Sequence, residues 1–303
     1  MMRWKTTMTR QILVPLDGSP LSEHALPLAT ALVRTLDARL LLVHAQRADT
    51  TSSEHPPDLD AVAQRIRSGG IDVETATCSA QEVDGTGAAI LSAAGEHDAA
   101  LIVMATHGYG GLGRWLYGSV ADQLVRQTTV PIMLVSPLLA AAWPEDRPPR
   151  VLVPLDGSER SEAILGPLGA LVKPLGGQLI LLHVSESIDY LNEHPDYCEV
   201  CRAARAAGTE LDIEPVRARL YLDGVAGRLR ADGFTVTTQV ETGGAASTIV
   251  KVAEQHQADL IAMATHGRSG LRQVIMGSVA TDTLRRADVP LLLVRSLEAD
   301  ASS

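Results

Sequence analysis

Apolar residues gather along the chain in short, nearly continuous runs at 11–16, 39–43, 100–104 and 131–135, each shorter than a buried helix. Runs of this kind suit strands covered on both faces of a parallel sheet. A weaker alternating stretch at 71–77 adds a fifth strand. Helical spacing separates them at about 21–36, 58–68, 86–95 and 119–128, with Ser22 and Ser119 as candidate caps. This β-α alternation predicts a doubly wound α/β domain with a parallel five-stranded sheet, because parallel strands need crossovers and those are right-handed.

A second set of strands follows at 151–155, 178–183, 234–240, 259–263 and 290–294, and it is a copy of the first. ILVPLDGS at 12–19 returns as VLVPLDGS at 151–158, an offset of 139. Thr106-His107-Gly108 returns as Thr265-His266-Gly267, and Gly118-Ser119-Val120-Ala121 as Gly277-Ser278-Val279-Ala280, both at 159. The change of offset places a net insertion in the second copy, at about 184–213. A polar stretch at 137–150 holding Pro144, Pro148 and Pro149 reads as a stiff linker, dividing the chain into domains 1–143 and 144–303.

Composition narrows the function classes. A length of 303 residues suits two domains. The formal charge of −10 repels phosphate backbones and anionic membranes, and aromatic residues at 3% leave few platforms for stacking bases. No nucleic acid and no membrane partner is expected. No apolar run approaches the ~20 residues a spanning helix needs. Three cysteines and the absence of a leader-like N-terminus suit the cytoplasm.

In such sheets ligands bind beyond the carboxyl ends of the strands, where the strand order reverses. Asp17 and Asp156 follow strand one and precede Gly-Ser, while the loops 105–118 and 264–277 follow strand four. Each of these loops leads into a helix starting at Gly118-Ser119 or Gly277-Ser278, where unpaired N–H groups and the helix dipole favour phosphate. The structural alternative makes Ser119 an N-cap completed by Asp122 as a capping box. Gly108, Gly110 and Gly113 spell a dinucleotide fingerprint, but their counterparts are Gly267, Ser269 and Arg272, so the motif is not shared. Arg114, Arg268 and Arg272 lie in the loops as candidate phosphate partners or plain solvated cations. His107 and His266 lack a base or nucleophile in the sequence beside them and read as loop braces rather than catalytic groups, so no catalytic residue is assigned; a hydrolytic reading would have to draw on them or on Asp17 and Asp156.

The pattern G-x2-G-x9-G-[ST] is the signature of the universal stress protein family, and the chain resembles it twice. It reads Ala105-Thr106-His107-Gly108-x9-Gly118-Ser119 and Ala264-Thr265-His266-Gly267-x9-Gly277-Ser278, with alanine at the first glycine in each copy. The resemblance implies a Rossmann-like sheet of order 3-2-1-4-5 and an adenine nucleotide, ATP with a divalent cation such as Mg²⁺. It implies that Asp17 and Asp156 meet the adenosine, and that the backbone of Ala45 and Val184 meets the adenine edge. Gly108, Gly118, Ser119 and Val120 would wrap the phosphates, as would Gly267, Gly277, Ser278 and Val279. The family's habit of pairing fifth strands implies a pseudo-dimer within the chain, and possible further homodimerisation. A slow ATPase and a nucleotide-free scaffold are the alternatives.

The insertion carries His194-x3-Cys198-x2-Cys201, with His183 at the end of strand two. Two thiolates and two imidazoles form a zinc-type donor set, and the same cysteines also suit free thiols or a redox pair. Cys78 in the first copy reads as a buried thiol.

Overall fold

The computed structural model describes residues 11–47, 58–80, 85–106, 118–136, 143–185, 213–265 and 277–296. The first copy runs β1 (Gln11–Pro15), α1 (Leu26–Leu36), β2 (Arg39–Arg47), α2 (Leu59–Arg67), β3 (Val73–Ala80), α3 (Gly85–Glu96), β4 (Ala99–Ala105), α4 (Ser119–Gln127) and β5 (Ile132–Val135). The second runs β6 (Arg150–Pro154), α5 (Glu159–Glu162), α6 (Leu165–Val172), β7 (Gln178–Ser185), α7 (Ile213–Ala231), β8 (Thr235–Thr242), α8 (Ala245–Gln255), β9 (Leu260–Thr265), α9 (Ser278–Arg286) and β10 (Leu291–Arg295).

The ten strands of the described residues form one sheet in the order β3-β2-β1-β4-β5-β10-β9-β6-β7-β8. Each half therefore has the order 3-2-1-4-5, and the halves meet at their fifth strands. Pairing is parallel within each half and antiparallel at the junction, where Leu291, Leu292 and Leu293 stand opposite Leu134, Met133 and Ile132. Every residue of β5 is buried, as are Leu291–Val294 of β10, which is why these runs are apolar without alternation. The expected pseudo-dimer is thus a property of one chain.

Two apolar layers sandwich the sheet, and each runs through both halves. One joins α1, α2, α6 and α7 through Leu28, Leu32, Val62, Leu168 and Leu222. The other joins α3, α4, α8 and α9 through Ile90, Leu124, Ile249 and Leu284. Trp143, at the head of the linker, is buried in the first layer at 4% exposure, so the connection is anchored in the core.

Sheet register locates the insertion. Leu40 stands opposite Val73, and Leu179 opposite Val236, so strand three is displaced by 163 where strand one is displaced by 139. The added chain all precedes β8, and the return to 159 at strand four reflects a shorter β8–α8 connection. On this register Leu222 matches Leu59, the first residue of α2. Helix α7 is therefore α2 with an additional N-terminal stretch, 213–221, on which Val216 and Leu220 are exposed.

Neither Ser22 nor Ser119 caps a helix, contrary to expectation. Ser119 is not the cap of α4: Gly118 is, with extended backbone at φ −64° and ψ 158°, and no side chain caps the helix. Asp122 then sits one position too far along for a capping box, and it pairs with Arg126 at 2.7 Å instead. Ser22 begins a 3-10 turn, Ser22–Ala25, whose first N–H is accepted by Ser19 Oγ.

Candidate functional site

The same turn is built twice at the carboxyl end of strand one. Asp17 Oδ1 accepts from the Ser19 N–H at 2.9 Å and from Ser19 Oγ at 2.6 Å. Asp156 does the same with Ser158, at 2.9 and 2.6 Å. The glycine between them has positive φ in both copies, 86° at Gly18 and 85° at Gly157, a conformation that disfavours any residue with a Cβ. A further serine locks each turn: Ser22 Oγ donates to Ser19 O at 2.8 Å and accepts from Asp17 N–H, and Ser161 repeats this with Ser158 and Asp156. The aspartates are thus oriented by short local hydrogen bonds on a rigid frame.

A histidine from strand two supports each turn from the side. His44 Nδ1 lies 3.0 Å from Leu16 O, and His183 Nδ1 lies 2.9 Å from Leu155 O, the carbonyl just before the aspartate. The spacing of PLDGS to this histidine held the signal for that role, since both copies keep the same separation. His183 therefore has a duplicated structural partner, in addition to its sequence-based place in a zinc-type set. The residues that follow, Ala45 and Val184, are partly buried against the second apolar layer near the ends of β2 and β7.

Strand four is next to strand one in both halves, which sets the switch point where the sequence puts it. The 3-10 turn after Asp17 packs on β4, and α5, after Asp156, packs on β9. Ala105 ends β4, and Ala264 stands one residue before the end of β9. Among the described non-glycine residues only Asp37, Asp98 and Gln257 have positive φ, so alanine sits at both places without strain. Thr106 N–H bonds Val135 O at 2.9 Å, and Thr106 O takes the Gly118 N–H at 2.7 Å, tying the start of α4 to the end of β4. In the second copy Gly277 has the matching backbone, φ −56° and ψ 151°, again with no side-chain cap.

Ser119, Ser278 and Val279 are exposed at these helix starts. No acidic residue lies in the first turn of α9, and the one in α4, Asp122, is paired with Arg126. Anion attraction at the helix dipole is therefore not opposed by an unbalanced carboxylate. Gly118 has a further property. Among the described residues a Cβ built there would meet only Thr106 O, at 3.7 Å, an ordinary contact, and its φ suits any residue.

Several expected site residues lie outside the described residues: His107, Gly108, His266, Gly267, Arg114, Arg268 and Arg272 in the loops, and His194, Cys198 and Cys201 in the insertion. Among the described residues no three His, Cys, Asp or Glu side chains gather as a metal site, and no helix is long and apolar enough to cross a membrane. Cys78 is half-buried with Sγ 3.7 Å from His44 O, and burial pushes its thiol up.

The model of the Universal stress protein family matches twice, over residues 8–136 and 149–295. The chain belongs to the universal stress protein family. Universal stress protein Rv2005c of Mycobacterium tuberculosis is 28% identical over 204 residues, covering 66% of this chain and 63% of that one. This chain therefore spans less than two thirds of such curated relatives. Universal stress protein MJ0577 of Methanocaldococcus jannaschii is 26% identical over 48% of this chain and 94% of its own length. The crystal structure of a universal stress protein from Archaeoglobus fulgidus superposes with a TM-score of 0.67 at 20% identity, covering 96% of this chain and all of that one, which establishes the shared fold.

Proposed function

We propose that this tandem universal stress protein, with domains at 1–143 and 144–303, binds an adenine nucleotide in one or both halves and acts in a cytoplasmic stress response rather than in metabolic turnover. ATP, with Mg²⁺ on its phosphates, is the ligand of choice. In each half the oriented carboxylate of Asp17 or Asp156 receives the adenosine, and the backbone of Ala45 or Val184 meets the adenine edge. Ala105 and Ala264 line the ribose side. The loops carrying His107-Gly108 and His266-Gly267, with the helix starts Gly118-Ser119-Val120 and Gly277-Ser278-Val279, take the phosphates.

One observation carries the reading. Among the described residues, glycine at 118 is demanded by neither φ nor packing, and it forgoes the side-chain cap that serine or aspartate would supply. A bare backbone at a helix start is what close approach of a phosphate requires.

Purified protein is to be denatured and the released small molecules separated by chromatography, alongside thermal melting in saturating ATP and Mg²⁺. Bound nucleotide and a raised Tm are expected, since a ligand that binds only the folded state stabilises it. Neither release nor shift would sink the reading and favour a nucleotide-free scaffold. Gly277→Val is expected to remove binding from the second half only.

A further inference from the structure

The two halves share the hydrogen bonds of the aspartate turn, and they differ in what α2 and α7 bring against it. Where α2 has Asp58, whose side chain accepts from the Ala61 N–H at 2.9 Å and caps that helix, the longer α7 has Tyr221. Its ring meets His183 edge-on, with centroids 6.5 Å apart and planes at 71°. Its hydroxyl is fully buried beside the Ser161 hydroxyl and the Glu162 carboxylate, without a hydrogen bond of full geometry to either. Burial, followed by the charge of Glu162, pushes this phenol well above its ordinary value, so it stays protonated.

These neighbours are the parts that hold the second aspartate turn. His183 Nδ1 meets Leu155 O, and Ser161 Oγ contacts both Asp156 N–H and Ser158 O. Tyr221 thus packs on both anchors of Asp156. Glu162, the hydroxyl's other neighbour, is bridged to Arg228 on α7, a pair that the first half also has as Glu23 and Arg65. The salt bridge is common to both halves and the tyrosine is not.

We propose that Tyr221 is a positioning residue through which the inserted stretch of α7 sets the second nucleotide site, making the two sites of the chain unequal. This rests on the nucleotide reading above. The second turn is the less covered of the two, with Asp156 exposed where Asp17 is half-buried, and by holding it in place before ligand arrives Tyr221 removes an ordering cost that this site would otherwise bear. Linkage is reciprocal, so nucleotide at the second site steadies the N-terminal turns of α7, which carry the exposed Val216 and Leu220.

The test uses the full chain in two single-site forms: Gly118→Val, which leaves the second site, and Gly277→Val, which leaves the first. Tyr221→Ala is added to each and ATP-Mg²⁺ affinity is measured by calorimetry. Affinity of the second site is expected to fall about tenfold, a common size for coupled sites, while the first changes less than twofold. Tyr221→Phe, which keeps the ring against His183, should recover most of the loss if packing holds the turn. Amide exchange without nucleotide gives an independent reading: Tyr221→Ala should accelerate 156–162 and leave 17–23 unchanged. Equal effects on both sites, or no change in 156–162, would overturn the proposal. Should the wild type bind no nucleotide at all, the functional reading fails, and the exchange result still decides whether Tyr221 holds the turn. If Tyr221→Ala does not fold, the same comparisons are read from Tyr221→Phe, with a smaller loss confined to the second site.

Discussion

Thr283 on α9 is completely buried, and its hydroxyl has no hydrogen-bond partner among the described residues. Its counterpart at the offset of 159 is Leu124, also fully buried, in the same apolar layer of the first half. A buried hydroxyl without a partner costs its desolvation, whereas an apolar group of the same shape does not. Thr283→Val keeps the branching and the volume. It is expected to stabilise the protein by about 1 kcal/mol, raising the urea midpoint with m unchanged. A lower midpoint would show that the hydroxyl is satisfied in solution. The contrast with Ser19 and Ser158 is instructive, because there the hydroxyls are fully engaged in the aspartate turns and their loss should destabilise.

Whole helices show the trade between stability and the proposed ligand. Both α4 and α9 begin at a glycine with cap-like backbone and no capping side chain. Gly118→Ser supplies the missing acceptor where a Cβ has room, so a gain of a few tenths of a kcal/mol is expected, about the difference between these residues as caps. The same substitution brings a side chain to the phosphate side, so ATP affinity should drop as Tm rises slightly. A rise in both would separate the glycine from the ligand. At this scale the sequence was readable where burial dictates composition: unbroken apolar runs marked the inner strands and a weaker alternation the outer β3, with ends off by a few residues, because a strand's last residues carry no apolar signature once they pass the core. Strand β2 continues through His44 and Ala45 to Arg47, four residues beyond its apolar run. Caps were less readable. Ser119 resembles a cap in sequence, but the cap is chosen by φ and ψ, and the extended residue is Gly118. The N-terminal stretch of α7 was hidden for a different reason, since its exposed Val216 and Leu220 do not follow a buried stripe. The aspartate turn was legible because duplication marked it, whereas its serine and histidine supports are ordinary residues until the fold brings them together.

For the molecule as a whole, the decisive feature is that fifth strands meet inside the chain. In a single half, β5 or β10 would be an exposed, flat, apolar edge, the kind that invites association. Joining them removes both edges and leaves β3 and β8 outermost. Those remaining edges carry a matching device: Arg67 donates to Val73 O at 2.6 Å and Arg230 to Val236 O at 2.7 Å, covering a carbonyl and adding charge. If the sheet and its two shared apolar layers hold the halves together, the covalent linker is dispensable once the protein has folded. Residues 145–148 are exposed and suit a nick, and an engineered protease site after Asp146 allows one. The two fragments should remain together and elute as one particle of about 32.1 kDa. Leu292 faces Met133 across the junction at 1% exposure, and a carboxylate there would be buried against apolar neighbours at a cost of several kcal/mol. Nicked Leu292→Asp protein should therefore separate into two fragments on the same column, while the uncut variant stays in one piece. Separation of the nicked wild type would show instead that the linker, with its Arg147–Asp259 bridge at 2.7 Å, and not the strand junction, holds the halves in register.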